Sequence, residues 1–570
     1  MALSLRHLLP DNSRQYREEV SRRISWGHWF ALFNIVVALL IASRYAFNAD
    51  WPNTLFGKLY FFISLFGHFS FVIFAFYLLL LFPLSFLIKH NRTFRGISVI
   101  VATLGMTGLL LDTEVFKRFY LHLSPLVWDL LVNPDEAELS RQWQLLFVPM
   151  PLILLAEMLY SRWCWQKLRS FNRQKWGKYV ALVFLSCFTA THLLYAWADF
   201  AFYRPITAQK ANYPLSYPMT ARSFLEKHHL IDRANLEQQL ETTGRLDTFY
   251  LNYPKKPLQY GENPRKINFL FINLSGLTNA AADTLPAFTR IAEQSRRFTQ
   301  HYSGADSASG GIVSLFYSLS GRYTDAILNE RTPAVFISSL QKWQYQFGLF
   351  SHNGFAEPIY SRALFADFPL PSAHNNQEAV GQWQQWLATD ATRSPFFSYV
   401  ELSATENAVQ LNQQLEQIWA ALIRQNLLNK TLVILTADIG DNQANANSFA
   451  TQRTQVPMLI YWQGQQSRYL PLSSHLDIAP TLLAQFLALR SPLSDYAQGI
   501  DLTEPNQRRW LLASNYKRNV AILPDGEQFH IDRKGDFEHY NEDGEKQAHS
   551  RPPLALFLQL IQQSNQFIQK

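Results

Sequence analysis

Five long apolar segments in the first 201 residues constrain the fold more than any other feature of this chain. They lie at about 28–47, 59–88, 96–116, 143–162 and 179–201. A helix needs about 20 apolar residues to cross the hydrocarbon core of a bilayer. Between Phe61 and Ile88 the second segment carries no charged residue and one histidine, His68. We therefore predict five transmembrane helices.

The composition supports a membrane half joined to a polar half. The mean hydropathy of −0.10 averages the two, and the charged fraction of 17% is well below that of soluble domains. The net charge of +7 is modest, and its basic residues cluster beside the apolar segments, which argues against a nucleic-acid partner. Cys164 and Cys187 both lie in the apolar half, so no disulfide framework and no cysteine-based zinc site are expected.

Positive charge beside the spans predicts their orientation. One side carries fourteen basic residues: Arg6, Arg14, Arg17, Arg22, Arg23, Lys89, Arg92, Arg95, Arg162, Lys167, Arg169, Arg173, Lys175 and Lys178. The opposite loops carry four, which are Lys58, Lys117, Arg118 and Arg141. We expect a cytoplasmic N-terminus, with everything after residue 201 on the far side, which in a bacterium is the periplasm.

Four ionisable residues lie inside or at the edges of the predicted spans: His68, Glu157, His192 and Asp199. A charge in lipid is costly, so each is a functional hypothesis. The alternative is that Glu157 pairs with a neighbouring helix and that Asp199 reaches the interface. We favour this alternative, because the four do not form the series that a proton relay would need.

The segment 203–227 leaves the last span directly and combines prolines, basic residues and aromatic residues. Pro205, Pro214 and Pro218 exclude a continuous helix. Cations beside aromatic anchors at this level suit contact with anionic lipid headgroups. A simple tether between domains is the alternative.

From Lys266 onward the pattern predicts an α/β domain. Ile267–Leu274, Thr431–Thr436 and Pro457–Trp462 are expected strands, and helices are expected over Thr332–Lys342 and Glu406–Asn429. We predict a mixed, mostly parallel sheet between helices. Turn pairs at Asp525-Gly526 and Lys534-Gly535, followed by a helix from about Leu554, predict a small antiparallel appendage.

These patterns divide the chain into five regions. We predict a cytoplasmic N-terminus (1–25), a five-span transmembrane domain (26–202), a linker and helical region (203–264), the α/β domain (265–505) and a C-terminal hairpin and helix (506–570).

The polar residues after the predicted strands resemble those of the alkaline phosphatase/sulfatase superfamily. They occur as Ser275-Gly276, Asp306-Ser307-Ala308, Thr436-Ala437-Asp438 and Ser474-His475-Leu476-Asp477. The resemblance implies Ser307 as nucleophile, with Asp306, Asp438, Asp441 and His475 around a divalent metal (Mg, Mn or Zn) that activates the hydroxyl.

The chain departs from that pattern at two metal-ligand positions. Ser275 stands where the superfamily has an aspartate, and Ile439 stands where it has a histidine beside Asp438. A lone Asp-Ser-Ala is also a common helix N-cap. We therefore expect a non-catalytic scaffold without a cofactor, and a metal-dependent phosphatase or phosphotransferase remains the alternative.

Several segments resemble the YejM (PbgA) family of inner-membrane proteins of Gram-negative bacteria. They are SWGHWFALFN (25–34), DWPNTL (50–55), GHFSFVIFAFYLLLLFPLSF (67–86), WQKLRS (165–170), YRPIT (203–207) and PLSYPMTAR (214–222). The resemblance implies five spans, a sulfatase-like periplasmic domain, and a regulator of lipopolysaccharide synthesis. Such a regulator senses lipid A and acts through the LapB adaptor, and so indirectly through the FtsH protease, on the lipid A deacetylase.

In that family a lipid A-binding segment follows the last span. It maps here to Tyr217, Pro218, Met219, Thr220, Ala221, Arg222, Ser223 and Phe224. Ser223 replaces a second arginine that the family often has, and Lys210 or Lys227 can supply the missing charge. An anionic phospholipid such as cardiolipin is a further expected partner, a cardiolipin carrier is a second alternative function, and homo-oligomerisation is left open.

Overall fold

The computed structural model describes residues 11–49, 51–124, 127–128, 148–174, 176–220, 227–228, 233–389, 395–405, 407–441, 447–463, 465–505, 508–533, 535–542, 544–547 and 553–569. The chain divides into two compact units, one up to Asp232 and one from Arg233 to Gln569. We call them the helical unit and the α/β unit.

The helical unit consists of long helices followed by a short, mostly extended segment. The helices are α1 (Asp11–Ala46), α2 (Leu55–Phe76), α3 (Phe82–Leu87), α4 (Asn91–Phe119), α5 (Met150–Arg173), α6 (Trp176–Phe200) and α7 (Arg204–Thr207). A 3-10 turn at Ala208–Ala211 extends α7.

Four of the described helical stretches are long and apolar enough to cross a membrane: Gln15–Ala46, Leu55–Leu87, Asn91–Phe119 and Trp176–Phe200. The fourth predicted span departs from this pattern. Its first residues lie outside the described part of the chain, and the helix α5 that follows carries Arg162, Lys167, Arg169 and Arg173 in its second half. Four spans are therefore supported by length and composition, and the fifth stays a prediction.

A π-helical turn at Tyr77–Leu81 joins α2 to α3. Pro83 has no N–H to give to the carbonyl four residues earlier. The backbone widens instead, and the Phe82 N–H donates to the carbonyl of Tyr77. The second apolar segment is therefore one continuous helical rod with a local bulge.

Buried charges inside the helical unit are paired between helices. Glu114 of α4 forms ion pairs with Arg44 of α1 at 2.7 Å and with Arg118 at 2.9 Å. Glu157 of α5 accepts a hydrogen bond from the Asn34 amide of α1 at 3.3 Å. This is the structural alternative that we favoured for Glu157.

The α/β unit is built on a seven-stranded sheet with the order β4-β5-β1-β6-β7-β2-β8. The strands are β1 (Asn268–Ser275), β2 (Arg296–Phe298), β4 (Gln346–Ser351), β5 (Phe396–Ser403), β6 (Thr431–Thr436), β7 (Met458–Tyr461) and β8 (Ser467–Tyr469). A separate parallel pair joins β3 (His301–Tyr302) and β9 (Ser473–Ser474). β4, β5, β1 and β6 are parallel and β7 is antiparallel to both neighbours, so the predicted mixed sheet is confirmed.

Helices cover both faces of this sheet. They are α8 (Arg233–Thr243), α9 (Asn279–Asp283), α10 (Pro286–Ala292), α11 (Ala308–Tyr317), α12 (Thr324–Glu330), α13 (Val335–Lys342), α14 (Asn376–Thr389), α15 (Ala408–Arg424), α16 (Thr451–Thr454) and α17 (Ile478–Gln485). Successive β1 side chains point to opposite faces. Leu270 and Ile272 pack in the core with Trp383 of α14, whereas Phe271 stacks on Phe316 of α11.

A five-stranded antiparallel sheet closes the α/β unit. Its strands are β10 (Leu511–Ser514), β11 (Arg518–Ile522), β12 (Gln528–Asp532), β13 (Phe537–Tyr540) and β14 (Lys546–Gln547), and α18 (Leu554–Ser564) packs on β10 and β11. Gly526, at one predicted turn, has a φ of 89°, a conformation that favours glycine.

Candidate functional site

A cavity of about 230 Å³ opens where the parallel strands of the large sheet end. We call it the strand-edge cavity. It is lined by Ser275, Gly276, Ala308, His352, Asn353, Glu357, Glu401, Ser403, Thr405, Asp438, Ile439 and Asp441. The carboxyl ends of parallel strands meet at one edge of a sheet, which brings these distant residues together.

The close approach of α11 to the end of β6 completes one wall. A Cβ atom added at Gly311 would lie 1.9 Å from the carbonyl oxygen of Asp438. Only glycine therefore fits at this position, and the approach places Ala308, the first residue of α11, in the lining of the cavity.

Asp438 lies at the base of the cavity and is 1% exposed. Its carboxylate accepts hydrogen bonds from the Ser275 hydroxyl at 3.0 Å and from the Ile439 N–H at 2.8 Å. Burial raises the pKa of Asp438 to about 6, because these neutral donors offset only part of the lost solvation.

Glu401 is the second buried carboxyl group of the cavity. Ser351 donates to Oε2 at 2.6 Å and the Tyr360 hydroxyl donates to Oε1 at 2.8 Å. Burial raises the pKa of Glu401 to about 7, and the charge of Asp438 acts in the same direction. Two carboxyl groups of this kind hold and exchange protons near neutral pH.

The two residues of the predicted nucleophile motif do not line this cavity. The exposed Ser307 is the N-cap of α11, and its hydroxyl accepts from the Gly310 N–H at 3.3 Å. Asp306 accepts from the Asn515 amide at 2.6 Å. Both side chains belong to the described part of the chain, and both have structural partners.

His475 is buried in a chain of hydrogen bonds rather than at the cavity. Its Nε2 lies 2.9 Å from the Ala437 carbonyl, so this nitrogen carries the proton, and its Nδ1 accepts from His301 Nε2 at 2.9 Å. Burial lowers the pKa of His475 to about 4, and it lowers the pKa of His301 as well. Both ring nitrogens of His475 are engaged, which leaves neither for a metal.

The residues at the strand edge do not fit the metal site that the superfamily resemblance implies. Ser275 gives a hydroxyl proton to Asp438 where a second carboxylate is needed, and the buried Ile439 presents hydrocarbon where an imidazole is needed. Within the described ranges, His, Cys, Asp and Glu side chains form no group of three or more that could hold a metal ion. Of the predicted ligands, Asp438 and Asp441 share the cavity, whereas Asp306 and His475 lie elsewhere.

The second candidate site is the linker, which we define as residues 203–220. It folds back along α2 instead of leaving the bundle. Gln209 donates to the Gly57 carbonyl at 3.0 Å, and Tyr213 donates to the Phe61 carbonyl at 3.1 Å. Successive linker residues thus follow successive turns of one helix.

Three histidines attach the linker backbone to the helices. His68 of α2 donates to the Pro214 carbonyl at 2.8 Å, and His192 of α6 accepts from the Met219 N–H at 3.1 Å. His122, after α4, lies 3.0 Å from the Ala211 carbonyl and 2.7 Å from Asp112. Two of the intramembrane residues singled out in the sequence therefore hold the linker in place.

The linker presents an apolar strip on its outer side. Leu215, Tyr217 and Met219 are 64%, 71% and 55% exposed, whereas the alternate residues Ser216 and Pro218 are half-buried. This is the alternation of an extended chain. We call these three residues the linker strip.

Charge accompanies the linker strip. Lys210 lines a small hollow together with Tyr217, Pro218 and His192. Thr220 and Lys227 are exposed. Of the predicted lipid-binding residues, Ala221, Arg222, Ser223 and Phe224 lie outside the described residues.

Sequence reasoning missed Glu401, Glu357 and His122. The signal for Glu401 was a lone carboxylate inside the apolar run Phe396–Leu402. Glu357 and His122 follow no strand or span pattern, and only the folded chain brings them to their partners.

Comparison with known proteins follows the same division of the chain. Residues 13–260 match a domain of unknown function, DUF3413, and residues 403–487 match the sulfatase family. An uncharacterized protein of Haemophilus influenzae is 47% identical over 98% of each chain. The inner membrane protein YejM of Salmonella typhi is 41% identical over 97% of this chain and 99% of its own.

Among solved structures, a protein of the alkaline phosphatase superfamily from Vibrio parahaemolyticus covers 60% of this chain and 98% of its own. Its TM-score is 0.43 and its identity is 15%.

The apolar helices and the strand-edge fold define a multi-pass inner-membrane protein with a sulfatase-like domain. Identity over almost the whole length places it further. The chain belongs to the YejM family of inner-membrane proteins.

Proposed function

We propose that this protein is a lipid sensor that regulates lipopolysaccharide synthesis, with the linker as its lipid A-binding site. The sulfatase-like domain serves as a scaffold that does not catalyse. The state of the linker passes through the spans to the LapB adaptor, and through FtsH to the lipid A deacetylase, as in the family that the chain resembles.

The observation that carries this proposal is the linker strip. It exposes Leu215, Tyr217 and Met219 beside Lys210, while histidines of two apolar helices hold its backbone. Exposed aromatic and apolar side chains beside a cation are what a phosphorylated lipid headgroup with acyl chains requires. Arg222, next along the chain, adds a guanidinium that suits phosphate.

The proposal includes an orientation. The basic side of the predicted spans faces the cytoplasm, and the linker and the α/β unit face the periplasm. Five spans are needed for this arrangement, so α5 is the fifth, with its basic second half at the cytoplasmic surface.

Lipid A binding to the full-length protein in nanodiscs tests the proposal. Replacing a cation that contacts phosphate removes a charge-assisted contact. We therefore expect Lys210→Ala and Arg222→Ala each to weaken binding about tenfold. Lys58→Ala is the matched control, since Lys58 is an exposed lysine of α2 that does not line the hollow of Lys210.

The cellular counterpart is the level of the lipid A deacetylase. In cells that carry Lys210→Ala or Arg222→Ala, this level should stop following the supply of lipid A. Unchanged binding in both variants contradicts the site. Ser307-dependent phosphatase turnover would favour the enzyme alternative, and net transfer of cardiolipin between vesicles would favour the carrier alternative.

A further inference from the structure

A long groove lies between α2 and α4, with α1 as its floor. Its volume is about 390 Å³. It is lined by Phe30, Ala31, Asn34, His68, Phe69, Val72, Ile73, Phe76, Tyr77, Leu80, Leu81, Val101, Ala102, Gly105, Met106, Gly108, Leu109, Asp112, Leu123, Pro214 and Leu215. We call it the α2/α4 groove.

The polarity of the groove is graded along its length. His68, Asp112 and the Pro214 backbone gather at the end nearest the linker. Beyond them the lining is hydrocarbon, apart from the Tyr77 hydroxyl and the Asn34 amide, which bond to the Ile24 carbonyl and to Glu157. One polar end and one long apolar end match the polarity of an amphiphilic lipid.

The length of the groove matches one leaflet. From His68 to Leu81 the helical rise of 1.5 Å per residue gives about 20 Å. The hydrocarbon of one leaflet is about 15 Å deep, half of a core of about 30 Å. A chain that enters at the polar end therefore stays within the leaflet on the linker side.

The groove opens on the outer surface of the helical unit. Phe76 and Leu80 are about half exposed at its rim, and a Cβ atom added at Gly105 or Gly108 meets no atom within 4 Å. Larger side chains at these glycines would fill the opening, so the glycines keep it accessible from the surrounding lipid.

The size of the groove excludes a partner helix. A helix with its side chains is about 10 Å across, so 20 Å of it occupies on the order of 1,500 Å³. The groove provides about 390 Å³. A single extended acyl chain has the cross-section that fits.

We propose that the α2/α4 groove binds one acyl chain of the same lipid molecule whose headgroup the linker binds. This inference rests on the proposed function and adds a second subsite to it. Pro214 and Leu215 belong both to the linker and to the wall of the groove. An acyl chain in the groove therefore contacts the linker from the membrane side, and lipid binding orders the linker and the α2–α4 pair together.

Photolabelling of the full-length protein in nanodiscs tests this inference. The probe is lipid A with a diazirine in one acyl chain, and adducts are mapped by mass spectrometry. We expect adducts on Val72 and Met106. Leucine at position 108 occupies the space of several methylene groups, so Gly108→Leu should lower this labelling about tenfold.

Gly96→Leu is the matched control, because Gly96 of α4 also has open space around it but does not line the groove. Gly105→Leu is a second groove variant, and size-exclusion profiles show whether each variant folds. Labelling should survive Gly96→Leu and fall in both groove variants.

The remaining outcomes separate the two proposals. If lipid A binds but its adducts lie outside the groove, or persist in both groove variants, the inference is wrong and the proposed function stands. If lipid A does not bind at all, both are wrong. If a diazirine phosphatidylglycerol labels the groove and the lipid A probe does not, the occupant is bulk phospholipid and the inference is overturned.

Discussion

Asp438 and Glu401 are buried carboxyl groups whose hydrogen-bond donors are neutral groups. Hydroxyl donors, Ser275 for Asp438 and Ser351 for Glu401, occupy places where a cation would stabilise the charged form better. The strand edge therefore favours protonated carboxyl groups, which is the opposite of what a site for a divalent cation requires.

The pH dependence of stability follows from the raised pKa of Asp438. A carboxyl group whose pKa is higher when folded stabilises the fold below its unfolded value of about 4, and this contribution is lost as the pH rises. The loss is complete above the folded pKa of about 6. We expect Asp438→Asn to gain roughly 2 kcal/mol in unfolding free energy relative to the parent between pH 4 and pH 8. Denaturant unfolding of both proteins measures this difference.

The comparison with the parent is essential, because other groups titrate in the same range. Burial lowers the pKa of His475 to about 4, so its contribution is lost as the pH falls below about 6.5. Both proteins share this term, and the difference cancels it. Asp367→Asn, at an exposed carboxylate, is the control. Parallel pH curves for Asp438→Asn and the parent would contradict the raised pKa.

Ser307 acts as a helix cap in the structure. Removing such a cap costs about 1 kcal/mol, whereas asparagine caps as well as serine. We therefore expect Ser307→Ala to lower the unfolding free energy by about that amount and Ser307→Asn to retain it. Denaturant unfolding compares the variants, and lipid A binding should be unchanged in both. Phosphatase turnover lost in both variants would show instead that Ser307 is a nucleophile.

The element that connects the candidate lipid site to the spans is the linker packed on α2. Its backbone makes its contacts through side chains of different helices, so a change in its position requires changes at several helices. A tether would not need such contacts. Their presence favours a role in transmitting binding over a role as a spacer.

His192→Ala tests how the linker is held. The variant leaves the Met219 N–H without its acceptor, and loss of a hydrogen bond of this kind costs about 1 kcal/mol. We expect amide hydrogen exchange at Met219 to become roughly fivefold faster. His90→Ala, at an exposed histidine beside the other end of α4, should leave it unchanged. Equal exchange in all three proteins would mean that this bond does not hold the linker.

At the level of the whole molecule, the chain joins a membrane-embedded unit to an α/β unit with its own core. The proposed sensor needs the linker and the α/β unit on the periplasmic side. Orientation is therefore the property on which the proposed function depends most.

Cysteine labelling in spheroplasts tests that orientation. In a background with Cys164→Ala and Cys187→Ala, we expect Ser372→Cys of the α/β unit to react with a membrane-impermeant maleimide. Ser170→Cys in the basic half of α5 should react only after the membrane is opened. Both serines are exposed, so accessibility within the fold does not separate them. The reverse pattern would contradict the proposed orientation.

Much of the fold was predictable from local patterns, and less of the site was. The apolar segments and the strand Thr431–Thr436 were found from run length and burial alone. The α5 helix was harder, because basic residues share it with its apolar part. The strand-edge cavity draws on β1, β4, β5 and β6, and no sequence window contains more than one of them.

The division of labour has a physical reason. A span, a buried strand or a proline break depends on the nearest residues and on the solvent they require, so the chain alone determined the membrane half, the α/β half and the broken linker. The roles of Ser307, His475 and His192 depend on groups from distant parts of the chain, such as the Ala437 carbonyl and the Met219 amide. Only tertiary structure decided that Ser307 caps a helix, that His475 is sealed in the core, and that the linker packs along α2.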